Sequence, residues 1–218
     1  MKSRPATKPF LRVIAGLTIA IAMAAMGIVV YSVRLEKSAS ELIDSVRGVR
    51  TTADAEHVIS AWRDRLGRRF WQESEHTGGD HSYYGQIDNL PVSRLRFLEP
   101  TEITAGFTMR GDELRSVVVI MTTRRKPNST SSVWVQEWFE PDSQNRIHVV
   151  EKDRPWKAMV EFSAGAPTNQ REKAFAFNTR CFIRLGGCKR AEDILPAVWQ
   201  LGTPFSSSVW SGIASEIR

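Results

Sequence analysis

The side chains best suited to chemistry crowd into one short stretch, where Glu73, Glu75, His76, Asp80 and His81 surround Gly78-Gly79. Imidazole nitrogens and carboxylate oxygens bind borderline and hard metal ions, which makes His76, Asp80 and His81 candidate ligands. Their spacing matches no zinc signature, and polar loops collect such residues without holding anything, so a solvated loop is the competing reading. Two carboxylate pairs, Glu99 with Glu102 and Glu137 with Glu140, have the composition of an acid and a base but stand in no recognisable acid–base context. The sequence contains no nucleophile elbow, no Ser-x-x-Lys site, no zinc helix and no phosphate-cradling glycine loop. These observations lead to the expectation of a non-catalytic protein with no cofactor. The alternative is a hydrolase-like envelope enzyme whose site the spacing does not reveal.

Cys181 and Cys188 flank the turn Gly186-Gly187, which can fold the second sulfur back onto the first if the chain reverses there. In an oxidising compartment they would pair, and so short a loop would contribute about 2 to 3 kcal/mol by the chain-entropy model. Two reduced, buried thiols are the other structural reading. Redox work favours a Cys-x-x-Cys at a helix start, whereas Cys181 is expected near a helix end, where the dipole disfavours thiolate. Arg110-Gly111-Asp112 spells an adhesion tripeptide, but a tight hairpin asks for the same residues. Asn128-Ser129-Thr130 fits an N-glycosylation acceptor.

The formal charge of +6 invites a nucleic-acid reading until the charges are located. Lys2, Arg4, Lys8 and Arg12 precede the first acid, Glu36, and setting them aside leaves 26 basic residues against 24 acidic ones. That balance lacks the broad basic stripe of a phosphate-binding surface, so no nucleic-acid partner is expected. One local cluster remains, Arg63, Arg65, Arg68 and Arg69, which either faces water or meets lipid head groups or an acidic partner.

The elements that must position these groups begin with Val13–Val33, 21 residues without a charge, enough to cross a bilayer as a helix. The small residues Ala22 and Ala24 admit a cleaved secretory signal, but the apolar run continues past them, which favours an uncleaved anchor. Four bases before the span, against Arg34, Lys37 and Arg47 soon after it, place the amino terminus in the cytoplasm and the remainder outside. The expected organisation is a basic tail over 1–12, a transmembrane helix over 13–33, a stalk helix over 34–50, an extracytoplasmic domain over 51–205 and a tail over 206–218.

Within that domain, Ala55, Ile59, Trp62, Leu66 and Phe70 share one face of a helix opened by Thr51 or Thr52. The period then becomes two. Leu95 and Phe97, then Ile103, Ala105, Phe107 and Met109, alternate with polar residues, and Leu114 to Thr122, with Val117 to Ile120 in a row, reads as a strand buried on both faces. Further strands are expected at Val133–Phe139, Ile147–Glu151 and Lys157–Ser163, completing an antiparallel meander. A helix from Thr168 carries Ala174, Phe175, Asn178, Cys181, Phe182 and Leu185 in one arc, and short helices follow from Ala191 and Pro196. The fold class is α+β. Two hundred and eighteen residues, 42% of them apolar, suffice for one such core.

From Ala174-Phe175-Ala176-Phe177-Asn178-Thr179-Arg180-Cys181 through Gly186-Gly187-Cys188 to Ile194-Leu195-Pro196-Ala197-Val198-Trp199, the chain resembles a group of uncharacterised bacterial proteins with an amino-terminal membrane segment. The resemblance implies a bacterial envelope location and transfers no catalytic residue. The helix followed by a meander also resembles small envelope-assembly lipoproteins of the outer membrane, from which this sequence departs by lacking a lipobox cysteine. The lipid bilayer and an envelope protein are the expected partners.

Overall fold

A computed structural model of the chain describes residues 7–74, 79–93, 98–126, 129–139, 157–184 and 187–201. Helix α1 (Thr7–Gly48) is unbroken, and its character changes midway. Leu17, Ile21 and Met26 are 61%, 61% and 70% exposed, the whole stretch from Val13 to Val30 is exposed with them, and Tyr31 is the first residue of the apolar run to pack against the core. This part of the helix is long and apolar enough to cross a membrane. From Leu35 onward, Ala39, Leu42, Ile43 and Val46 fall on one stripe and are buried. The segment expected to be a stalk is therefore the central helix of the domain. A stripe of that width is more than a solvated spacer needs, and it packs on the sheet.

Thr51 opens α2 (Thr52–Leu66) with a capping box: its hydroxyl accepts from the Asp54 amide, and the Asp54 carboxylate accepts from the Thr51 and Arg50 amides. The helix runs back along α1, with Trp62 Nε1 donating to Ser45 Oγ at 3.2 Å and Arg65 paired with Glu41. A single 3-10 turn, Gly67–Arg69, leads into β1 (Phe70–Ser74), and β2 (Asp80–Asp88), a helical turn α3 (Leu90–Ser93), β3 (Thr101–Arg110), β4 (Glu113–Lys126), β5 (Ser129–Trp138) and β6 (Lys157–Ser163) follow. Then come α4 (Thr168–Ala174), a 3-10 turn at Thr179–Phe182, α5 (Ala191–Ile194) and a last 3-10 turn at Val198–Gln200. The α+β class is as the sequence implies.

The six strands lie in chain order, and the first four pairings are antiparallel. The tip between β3 and β4 is Gly111-Asp112, where Gly111 takes φ +57°, so the adhesion-like tripeptide is a hairpin turn. In one register row Gly85, Ala105, Val119 and Val135 pair across the sheet, and the buried residues of that face join α1, α2, Phe175, Phe182, Ile194 and Leu195 in a single core.

Four features differ from expectation. β6 runs parallel to β5, not antiparallel, because the connection over 139–156 is long enough to return the chain to the same end of the sheet. β1 and the start of β2 form a hairpin in what reads as polar loop, and Phe70 belongs to β1 because α2 stops at Leu66. The helix from Thr168 ends at Ala174, and Cys181 and Phe182 sit in a separate 3-10 turn that Asn178 opens by accepting from the Arg180 amide. The expected strand residues Leu95, Phe97 and Ile147–Glu151, and the tail with Trp210 and Ile213, lie outside the described residues, as does Asn128 of the glycosylation triplet.

Candidate functional site

Among the described residues, opposite charges meet in the core at a point that joins three distant elements. On β5, alternation puts Val133, Val135 and Glu137 on the core face, and Glu137 is fully buried there. On α4, Arg171 shares the inward face with Ala174 and Phe175 and is 4% exposed. Arg171 Nε lies 2.8 and 2.7 Å from the two Glu137 oxygens, Nη1 donates to the Arg47 carbonyl, and Nη2 donates to the Val49 carbonyl at 3.1 Å. Its guanidinium stands 5.1 Å from the centre of the Phe175 ring, and Arg50 Nη1 adds a further bond to Glu137 at 3.1 Å. Burial pushes the Glu137 carboxyl up, against the pull of Arg171, and burial likewise draws the Arg171 guanidinium down.

Chemically this arrangement is a joint. Carbonyls at the end of α1, which no helix hydrogen bond can satisfy, receive a cation that also complements the helix dipole, and the same cation is locked to the sheet. Bonds from Arg171 and Arg50 engage the Glu137 carboxylate within the chain, so its geometry suits holding rather than proton transfer. The alternation of β5 points to Glu137, but Glu140, considered above as its acid–base mate, lies outside the described residues. Arg171 and Arg50 are the residues that motif reasoning misses. A charge within the apolar stripe of Ala174 and Phe175 is the signal that marks Arg171.

The other candidates separate. Glu75 and His76 lie outside the described residues. Asp80 is gripped by Arg110, with Nε at 2.6 Å and Nη2 at 3.0 Å, and those bonds hold its carboxyl below the ordinary carboxylate range. His81 Nδ1 is 3.2 Å from Ser74 Oγ. Among the described residues no three metal-ligating side chains converge. Glu102 pairs with Arg124 and accepts from Gln86. Of the arginine cluster, Arg63 lies over the Phe70 ring at 5.8 Å and Arg65 is taken by Glu41, while Arg68 and Arg69 are exposed in the 3-10 turn.

Cys181 and Cys188 form a disulfide with 5.4 Å between their α-carbons. Both sulfurs approach the Asp193 carbonyl, and Asn178 Nδ2 donates to the same oxygen at 2.9 Å. The bridge thus ties the 3-10 turn at Thr179–Phe182 to α5. Burial raises the Asp193 carboxyl, but the Lys189 and Arg190 amides outweigh it and hold the group below its ordinary value.

The sheet face opposite the core carries aromatics. Trp71 on β1 stacks on Tyr84 of β2 with ring centres 5.3 Å apart, both half-buried. Tyr84 lies across Gly106 of β3, where a β-carbon would come within 2.4 Å of the ring, so only glycine fits beneath it. Trp134 and Trp138 of β5 point to the same face from neighbouring rows and are also half-buried. A more open cleft of about 290 Å³ lies between α2 and the β3–β4 tip, lined by Glu56, Arg63, Tyr83 and Asp112 among others. No family model, curated protein or solved structure matches this chain, so the resemblance carried by the 174–199 stretch gains no family assignment from them.

Proposed function

We propose that the protein is a single-pass membrane protein whose extracytoplasmic domain binds a protein or another envelope component and performs no chemistry of its own. The observation that carries this reading is the division of α1: an apolar half with no protein around it continues without a break into the centre of a folded domain. In water the first half would expose a large apolar surface, and a bilayer removes that cost. Because the helix does not break, the domain is held at a set position on the membrane, which suits presentation of a surface.

Support for the rest of the reading comes from the charges and the aromatics. The bases before the span outnumber those soon after it, favouring a cytoplasmic amino terminus, and a disulfide persists in oxidising compartments. The most perturbed carboxyls, on Asp54, Asp80, Glu137 and Asp193, are each held by partners within the chain. Stacked Trp71 and Tyr84 offer the rigid, amphipathic surface that recognition uses. Fused after Arg218, a reporter active only outside the cytoplasm should work, and the full chain should resist carbonate extraction. A photo-crosslinker at position 71 in native membranes should give a discrete adduct that Tyr84→Ala removes and that a crosslinker at position 173 does not give. Extraction by carbonate, or an active cytoplasmic reporter, would overturn the topology; no adduct at position 71 would overturn the binding surface.

A further inference from the structure

We infer that the end of the domain nearest the span is a docking surface for anionic phospholipid head groups, formed by Arg34, Lys37, Arg65, Arg68, Arg69 and Arg180. The inference rests on the membrane reading above and adds what the domain touches there. An unbroken α1 makes distance from the span countable at 1.5 Å per residue. Taking Val33 as the end of the span, Glu36 lies about 5 Å beyond it and Glu41 about 12 Å. Later residues of α2 meet earlier residues of α1, Trp62 with Ser45 and then Arg65 with Glu41, so α2 travels back toward the bilayer. The turn Gly67–Arg69 follows directly and presents Arg68 and Arg69 at the same end of α2. On another element, Arg180 Nε reaches Glu36 at 3.8 Å, which brings a further cation to the same level.

All six side chains are exposed. Arg34, Lys37 and Arg180 stand within one Debye length, about 8 to 10 Å, of the level at which head groups begin, and Arg65, beside Glu41, is about 12 Å from it. Glu36, Glu41 and Asp64 offset half of that charge and leave the end of the domain cationic. Arg63 is not part of the surface, being two residues further back along α2 and laid over Phe70. A purely structural explanation, in which Arg65, Arg68 and Arg69 complement the carboxyl end of α2, predicts no dependence on lipid charge.

The test uses the full chain in nanodiscs of phosphatidylcholine alone and of phosphatidylcholine mixed with phosphatidylglycerol, read by amide hydrogen exchange. Exchange over residues 64–72 should slow several-fold in the anionic discs at low salt. The difference between the two lipids should vanish at high salt and in the R65Q/R68Q/R69Q variant, while the lysine equivalents retain it. Unchanged exchange in β3 and β4 reports that the variants fold; should the glutamine variant not fold, the salt series on the unaltered chain decides. Equal exchange in both lipids by a chain that has entered the discs overturns the docking surface. A chain that does not enter the discs overturns the membrane reading instead.

Discussion

The two halves of α1 share one backbone and answer to different solvents. In the first, Leu17 and Met26 point outward on every side, and nothing distinguishes one face from another. In the second, Leu42 and Val46 are buried while Lys37 and Arg47 are exposed, so sequence periodicity returns where the helix enters the folded domain. The comparison teaches that a helix long and apolar enough to cross a membrane need not end where a domain begins. At the far end of the helix, Arg171 grips the Arg47 and Val49 carbonyls and ties that end to the sheet through Glu137.

The largest effect that would break this arrangement comes from the grip itself. Arg171→Ala strands Glu137 as a buried, weakly partnered carboxylate, and the expected loss is about 3 to 5 kcal/mol in denaturant unfolding. Replacing both, as Glu137→Leu with Arg171→Met, should recover most of that loss, because the desolvation of two charges disappears with their attraction. Failure of the double variant to recover would mean that the bonds to the α1 carbonyls outweigh the pair.

Next in size is a pair of truncations that sets the two halves side by side. Leu42→Ala removes buried methyl groups from the core and should cost about 2 to 5 kcal/mol, whereas Leu17→Ala should leave domain unfolding within about 0.5 kcal/mol of the original. Equal sensitivity of the two positions would erase the distinction. Smaller again is the disulfide. Cys181→Ser with Cys188→Ser opens a loop with a sequence separation of 7 and should cost about 2 to 3 kcal/mol, read as a lower unfolding midpoint.

The smallest effect concerns the bend between α1 and α2. Amide hydrogen bonds from Arg50 and Thr51 and the Thr51 hydroxyl hold the Asp54 carboxyl below its ordinary value of 3.8. A depressed carboxyl stabilises the fold above its unfolded value and loses that contribution as pH falls through the folded one. Asp54→Asn should therefore flatten the acid limb of the stability profile below about pH 4 without moving the neutral plateau far. An acid limb unaffected by the substitution would remove the cap from the account. Thr51→Ala, which takes away the other half of the box, should cost about 1 kcal/mol at neutral pH.

How much of this is legible in the sequence varies with the physics. The uncharged run and the alternation through Ile103, Ala105 and Phe107 are local patterns, and they mark the span and β3 directly. β1 is hidden because Gln72, Glu73 and Ser74 are exposed on an edge strand, where polar residues serve as well as apolar ones. The direction of β6 is hidden for a different reason: its own residues alternate identically in either sense, and only the long connection decides. The end of α4 depends on Asn178 and the disulfide, which cut a pattern that would otherwise continue as helix. At the joint, Glu137 is visible as a charge in a buried strand, but no spacing rule tells which cation comes to meet it.

The reach of Arg171 also sets an order of events during synthesis. Arg171 follows Val49 by 122 residues. At 5 to 20 residues per second, roughly 10 s pass between the appearance of the helix end and the arrival of the side chain that caps it. The strands that cover Leu42 and Val46 are likewise made later than the helix. During that interval the stripe of α1 that will become core is bare beside the apolar first half of the helix. A chaperone or translocation component that shields residues 35–49 until β5 and α4 emerge would therefore act on the most aggregation-prone stage of the protein's life, and early release would expose the stripe before its sheet exists.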